Sequence, residues 1–238
     1  MNYLIVVAGG NGGRMSIKGN KIFLEIDNKP IIYWTLKAFE ENSTIDAIIV
    51  SARVDDRRKI EDIIVKNHFK KIIGIVPAEK SRQESVLKTL IWLKPKAKND
   101  DLVGIHNAAN PFVLRKEIRD VFAAARIHRA ALLAYPARDT IKITNENNSV
   151  DYTPMRAFCW CAQTPQVAFY KDLLKASEKA KKENFVGTDD TQLLEMIKIK
   201  SKIIPCSRYN LKITFPEDLD LAKKILPIFR KEDEICSE

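Results

Sequence analysis

Short apolar runs rich in β-branched residues alternate with segments of helical spacing through the first 137 residues, and this alternation constrains the fold more than any other feature. YLIVVA (3–8), DAIIVSA (46–52), KIIGIV (71–76), DLVGIHNA (101–108) and AALLAYPA (130–137) read as buried strands. Between them, PIIYWTLKAF (30–39), DDRRKIEDIIVKN (55–67), SRQESVLKTLIWL (81–93) and RKEIRDVFAAARI (115–127) read as helices. Ser81 with Glu84 three residues on makes a capping box for the third of these. The order predicts an α/β fold, a mostly parallel sheet with helices on both faces. Ligands of such sheets bind beyond the carboxyl ends of the strands, where the Gly9 loop, the Asn107 region and the Arg138 region fall.

The pattern breaks at about 139–162. TIKITNENNSVDYT (140–153) alternates apolar and polar residues around NENN, which predicts a β-hairpin arm inserted into the α/β frame. An isolated two-stranded hairpin is marginal in water, so its apolar face calls for a cover, and a symmetric partner is the economical one. Helices follow at YKDLLKASEKAKK (170–182) and at TDDTQLLEMIKI (188–199), the latter with Thr188 as N-cap. SKIIPC (201–206) and LKIT (211–214) read as short strands, and PEDLDLAKKILPIF (216–229) as a closing helix with Pro216 at its start. The expectation is one domain over 1–229, with residues 230–238 a frayed tail.

Five of the eight glycines, Gly9, Gly10, Gly12, Gly13 and Gly19, fall directly after the first strand, beside Arg14, Lys18 and Lys21. Glycine admits positive φ and lets main-chain N–H groups approach a ligand closely. With cations beside it, such a loop suits a polyphosphate better than it suits a plain flexible turn. It is neither a P-loop, since no Gly-Lys-Ser/Thr occurs, nor a dinucleotide fingerprint, since Met15 stands where the third glycine belongs. The balance of 40 Lys+Arg against 31 Asp+Glu, a net +9, also points to anions. The basic clusters KPKAK (94–98) and KASEKAKK (175–182) lack the interleaved aromatics of a base-stacking surface. Small anions are therefore expected, with no nucleic acid and no membrane as partner. No apolar stretch approaches the length of a bilayer span. The chain runs into a strand without a signal-like segment, and Cys159, Cys161, Cys206 and Cys236 show no disulfide or zinc spacing. Both facts predict a cytoplasmic protein.

AGGNGGRM, Lys21, SRQESV, HNAANP, ARDTIK, MRAFCW, TPQ, GTDD and NLKITFPEDL follow one another from the first strand to Leu219. In this order they resemble the 2-C-methyl-D-erythritol 4-phosphate cytidylyltransferase family, CTP-dependent enzymes of the non-mevalonate isoprenoid pathway. The sibling family acting on ribitol 5-phosphate shares most of these motifs. The resemblance implies a Rossmann-like nucleotidyltransferase working as a homodimer through the arm. Ala8, Gly9, Gly10 and Gly12 would then bind the CTP phosphates, and Arg82 and Ser85 would border the cytosine and ribose. Arg14 and Lys21 would stabilise charge on the α-phosphate and the departing pyrophosphate. Thr140, Arg156, Thr188 and Lys212 would hold the acceptor phosphate, Arg156 from a partner subunit, with Asn107 positioning the acceptor. Mg2+ would be held mainly by the CTP phosphates. The family usually reads His-Asp-Ala-Ala-Arg-Pro where this chain has His106-Asn107-Ala108-Ala109-Asn110-Pro111, and Pro-Lys-Gln where it has Asn20-Lys21-Ile22.

These residue types suit the implied chemistry. A phosphate monoester is already largely dianionic at neutral pH, so no general base is needed. Catalysis then rests on aligning two polyanions and cancelling their repulsion. Ordinary alternatives stand beside each residue: surface lysines at 21 and 212, an Arg156–Asp151 pair within the hairpin, and a simple helix start at Thr188. At the level of the whole chain, a ribitol 5-phosphate or other polyol phosphate cytidylyltransferase is the nearest alternative. An inactive nucleotide-binding homologue is a further one.

Overall fold

The computed structural model describes residues 1–10 and 19–235. Among the described residues, a seven-stranded sheet runs through the centre of the molecule. It contains β1 (Asn2–Val7), β4 (Ala47–Ala52), β5 (Ile72–Pro77), β6 (Leu102–Asn107), β7 (Ala130–Pro136), β10 (Trp160–Phe169) and β11 (Lys202–Pro205), in the order β11-β7-β10-β6-β1-β4-β5. The block β6-β1-β4-β5 is parallel.

The apolar runs are continuous because both faces of these strands are covered. Leu4, Val6, Ile48 and Val50 point to one face, against Leu36 and Phe39 of α1 (Ile31–Glu40), Ile60 of α2 (Arg57–Lys66) and Phe122 of α4 (Arg115–His128). Tyr3, Ile5, Ala47 and Ile49 point to the other. They meet Val86 and Leu90 of α3 (Arg82–Leu93), Leu173 and Ala176 of α5 (Tyr170–Lys182), and Leu193 of α6 (Asp190–Glu195). The α/β class and the two-faced covering expected from the alternation are therefore present. A third cluster packs α7 (Pro216–Ile235) through Ala222 and Phe229 against Trp34, Phe112 and the small β2 (Glu25–Ile26)–β3 (Lys29–Pro30) hairpin.

The sequence reading is corrected at four places. The strand β10 was not anticipated; it lies antiparallel between β6 and β7 and makes the sheet mixed. Proline inside a central strand argues against the assignment. Here Pro165 falls in a register break between Ala162 and Gln166, where no ladder N–H is required of it. LKIT (211–214) is not a strand of the sheet; Ile213 N donates to Ala109 O at 2.9 Å instead. The N-cap of α6 is Asp189, whose side chain accepts from Gln192 N, and not Thr188. The tail expected from residue 230 is helical to Ile235. Arg230 pairs with Asp27 at 2.9 Å and Asp233 with Arg115 at 3.2 Å.

The arm is a hairpin of β8 (Ile143–Thr144) and β9 (Val150–Tyr152). Its turn is held by Asn145 Oδ1, which accepts from Asn147 N and Ser149 N.

Candidate active site

Four parallel strands end in one row. Val7 lies beside Ser51 and Asn107, and Ala52 beside Pro77. The loops that leave them close round a cavity of about 640 Å³. With β4 on one side and β6 on the other, β1 is the point where strand order reverses, where α/β sheets open a crevice. Of the residues expected from the sequence, Ala8, Gly9, Gly10, Lys21, Arg82, Ser85, Asn107 and Lys212 line this one cavity. Gly12 and Arg14 lie outside the described residues.

Local causes for this arrangement are visible. A Cβ on Gly9 would fall 2.6 Å from Ala78 Cβ, so the loop after β1 runs against the loop after β5 only as glycine. The buried Asn20 donates through Nδ2 to Ala8 O (2.8 Å) and Asp56 Oδ2 (2.9 Å), and accepts from Ile22 N. It thereby caps the 3-10 turn Lys21–Phe23 and ties Lys21 to the end of β1. Arg53, one residue past β4, adds a further cation to the wall and is paired with Asp55 at 3.3 Å. Neither Asn20 nor Arg53 stood out in the sequence as a site residue; the Asp56 that Asn20 meets lies 36 positions away, where no local pattern joins them.

The start of α3 supplies the opposite wall. Ser81 and Glu84 form the expected capping box. Ser85 Oγ accepts from Glu79 N (2.8 Å) and donates to Ser81 O (2.7 Å), so this hydroxyl shapes the 79–81 loop. Arg82 Nη2 pairs with Asp190 Oδ2 at 2.6 Å, and its Nε donates to Asn107 Oδ1 at 3.3 Å. Burial pulls the Arg82 pKa down, but the Asp190 carboxylate outweighs burial and holds it above the usual value. Gln83 grips the next segment by donating to Phe185 O and accepting from Gly187 N. Gln166 does the same from β10, its Oε1 accepting from Asp190 N (2.9 Å) and Thr191 N (3.1 Å). The SRQ and TPQ motifs thus hold the GTDD segment in place.

Thr188 does not reach the cavity that holds Lys21. It is exposed, donates to Gln192 Oε1, and lines a neighbouring cavity of about 620 Å³ that shares Ser81 and Arg82 with the first. Thr140 and Arg156 also lie apart, exposed at the arm, where Arg156 Nη1 donates to Arg138 O at 3.2 Å. His106, one residue before Asn107, is wholly buried; its Nε2 donates to Asn110 O at 2.9 Å, and its ring meets Phe39 edge-on. Burial pushes its pKa down to about 4, so it is neutral near pH 7.

The only carboxylate on the wall of the 640 Å³ cavity among the described residues is Glu79, which is exposed and paired with Lys88. Among the described residues no three His, Cys, Asp or Glu side chains gather as a metal site. The remaining charged side chains on that wall among the described residues are cations, Lys21, Arg53, Lys80, Arg82 and Lys212, a set suited to an anion. No helix among the described residues is long and apolar enough to cross a membrane.

Solved structures superpose on this fold over more than nine-tenths of the chain. A solved structure from Anaerococcus prevotii DSM 20548, described as a 4-diphosphocytidyl-2C-methyl-D-erythritol synthase, superposes with a TM-score of 0.84 at 30% identity, covering 95% of this chain and 96% of that one. The Francisella tularensis 2-C-methyl-D-erythritol 4-phosphate cytidylyltransferase gives 0.78 at 32% identity, over 93% and 97%. The enzyme of that name from Clostridioides difficile (strain 630) is 38% identical over 237 residues, 100% of this chain and 98% of its own length. That from Clostridium botulinum (strain Langeland) is 40% identical over 225 residues, 94% and 97% of the two chains. The family model for 2-C-methyl-D-erythritol 4-phosphate cytidylyltransferase matches residues 2–227, which takes in every strand of the sheet and the whole cavity wall. The chain belongs to the 2-C-methyl-D-erythritol 4-phosphate cytidylyltransferase family.

Proposed function

We propose that the chain joins CTP to 2-C-methyl-D-erythritol 4-phosphate, giving the CDP-linked methylerythritol and pyrophosphate for isoprenoid precursor synthesis. One observation carries the reading. Gly9, Lys21, Arg82 and Lys212 meet in a single cavity at the sheet's switch point, in a chain that matches the family from residue 2 to 227. The acceptor phosphate attacks the CTP α-phosphate and pyrophosphate leaves. The amides of Gly9 and Gly10, with Gly12, cradle the triphosphate, and Ala8, whose own amide donates to Ser51 O, stands beside them. Arg14 and Lys21 meet the charge that develops on the α-phosphate and the leaving group. Arg82 and Ser85 border the nucleoside. Lys212, Thr140, Thr188 and a partner's copy of Arg156 hold the acceptor, with Asn107 beside it. Magnesium, when bound, would be held mainly by the CTP phosphates and would add charge neutralisation, since Glu79 is the one carboxylate on the described wall. The working form is a homodimer through the arm. The cytoplasm is its compartment, a reading supported by the unpaired thiols of Cys159, Cys161 and Cys206.

The test is pyrophosphate release from CTP, UTP and ATP against a panel containing methylerythritol phosphate, ribitol 5-phosphate and other polyol phosphates. CTP with methylerythritol phosphate is expected to give the highest kcat/KM, since a base held by hydrogen bonds rejects analogues that leave site groups unpaired. Equal turnover of the three nucleotides overturns the CTP assignment; a preference for ribitol 5-phosphate moves the acceptor.

A further inference from the structure

From Arg82 to Thr164, side-chain hydrogen bonds run through three carboxamides in one direction. Arg82 Nε donates to Asn107 Oδ1 (3.3 Å), and Asn107 Nδ2 donates to Asn110 Oδ1 (3.3 Å). Asn110 Nδ2 then donates to Asn210 Oδ1 (3.2 Å), and Asn210 Nδ2 to Thr164 O (2.7 Å). A carboxamide can be turned end for end, but the ends of this line cannot. A guanidinium nitrogen only donates and a peptide carbonyl only accepts. With both ends fixed, all three amides must point the same way, because turning any one sets oxygen against oxygen at one joint and nitrogen against nitrogen at the other. Side contacts respect the same polarity: Asn107 Nδ2 also reaches Thr164 Oγ1, and Asn110 Nδ2 also reaches Asn210 O and Gln163 Oε1.

Asn110 and Asn210 are wholly buried and absent from the cavity wall, whereas Asn107 lines it. The line nevertheless begins at a cavity cation, Arg82, and Asn210 stands two residues before another, Lys212. The backbone adds a parallel tie, Ile213 N to Ala109 O. We propose that Asn107, Asn110 and Asn210 act as one polarised amide relay that positions Arg82 and Lys212, with Asn110 and Asn210 as positioning residues that never touch substrate. A neutral relay couples the two cations without bringing a carboxylate to an anion-binding cavity. The Asp190 that neutralises Arg82 lines the neighbouring cavity instead.

The kinetic half of the test rests on the CTP reading above; the other half does not. Asn110→Asp and Asn210→Asp keep size and shape but replace a donor by an acceptor, at two different joints. Each is expected to raise the KM for CTP about tenfold although neither residue reaches the cavity, and the double variant to be no worse than about twice the worse single, as for residues acting as a unit. Asp172→Asn, which breaks the distant Arg129–Asp172 ion pair, serves as a control for general loosening and keeps the wild-type KM. Full additivity, or a KM within twofold of wild type in the folded singles, overturns the relay. Independently of catalysis, NMR follows solvent exchange of the Asn210 side-chain amide protons in the ligand-free chain. Asn107→Leu cuts the line two joints away and is expected to speed that exchange at least tenfold; unchanged exchange overturns the relay. If the wild type releases no pyrophosphate with CTP, the functional reading fails and the exchange measurement alone decides.

Discussion

His106 precedes the cavity-lining Asn107 but does not itself line the cavity. Its ring is wholly buried against Phe39 and its pKa falls from 6.5 to about 4 through burial. Between those two values the unfolded chain binds a proton that the folded chain refuses. Stability from this residue is therefore fully present above about pH 6.5 and is lost as pH falls toward 4. From the linkage relation, lowering the pH from about 7.5 to about 5 removes on the order of 2 kcal/mol. Urea unfolding at those two pH values checks this: the wild type is expected to lose about 2 kcal/mol more than His106→Gln, whose side chain does not titrate. Equal losses would mean that the imidazole titrates normally in the folded state.

At the scale of elements, α3 is the piece whose end matters most, since Ser81, Arg82 and Ser85 all line the cavity. Ser81 Oγ accepts from Glu84 N at 3.1 Å, and Glu84 Oε2 accepts from Ser81 N at 3.0 Å. Ser81→Ala removes one half of this box and is expected to cost about 1 kcal/mol, a fall in Tm of about 2–4 °C for a chain of this size. Calorimetry reads the Tm, and a rise in the KM for CTP should accompany it because the end of α3 that carries Ser81, Arg82 and Ser85 to the cavity loosens. Such local devices are what the sequence makes legible: the capping box, the glycine loop and the strands whose two faces are both buried. β10 escaped because Gln163, Thr164 and Pro165 interrupt its apolar run at the register break. The site divided in the same way. Gly9, Lys21 and Arg82 follow strand ends or open helices, so pattern and resemblance reach them. Asn20 meets Asp56 across 36 positions and Asn110 meets Asn210 across 100, and nothing in the local sequence marks such pairs.

The whole molecule leaves one set of expected site residues apart from the rest. Lys21 lines the cavity, whereas Arg156 stands in an exposed turn at the base of the arm. Around it the arm exposes apolar side chains: Val150 at 56%, Tyr152 at 58%, Met155 at 68% and Phe158 at 79%. A short hairpin carrying that surface is marginal alone, and a two-fold partner covers both copies with one contact. If that partner brings Arg156 to the neighbour's acceptor site, each site takes Lys21 from one subunit and Arg156 from the other. Lys21→Ala and Arg156→Ala homodimers are then both nearly inactive, each with a loss on the order of a hundredfold. In a hybrid of the two, one site carries both substitutions and the other carries neither. With equal amounts and free exchange, half of the dimers are hybrids and one of their two sites is native. Activity should therefore recover to about a quarter of wild type. Pyrophosphate release against mixing ratio, with sedimentation to confirm dimers and exchange, measures it. Verified hybrids without recovery, or a fully active wild-type monomer, would confine Arg156 to its own subunit and leave the arm's apolar face to some other contact.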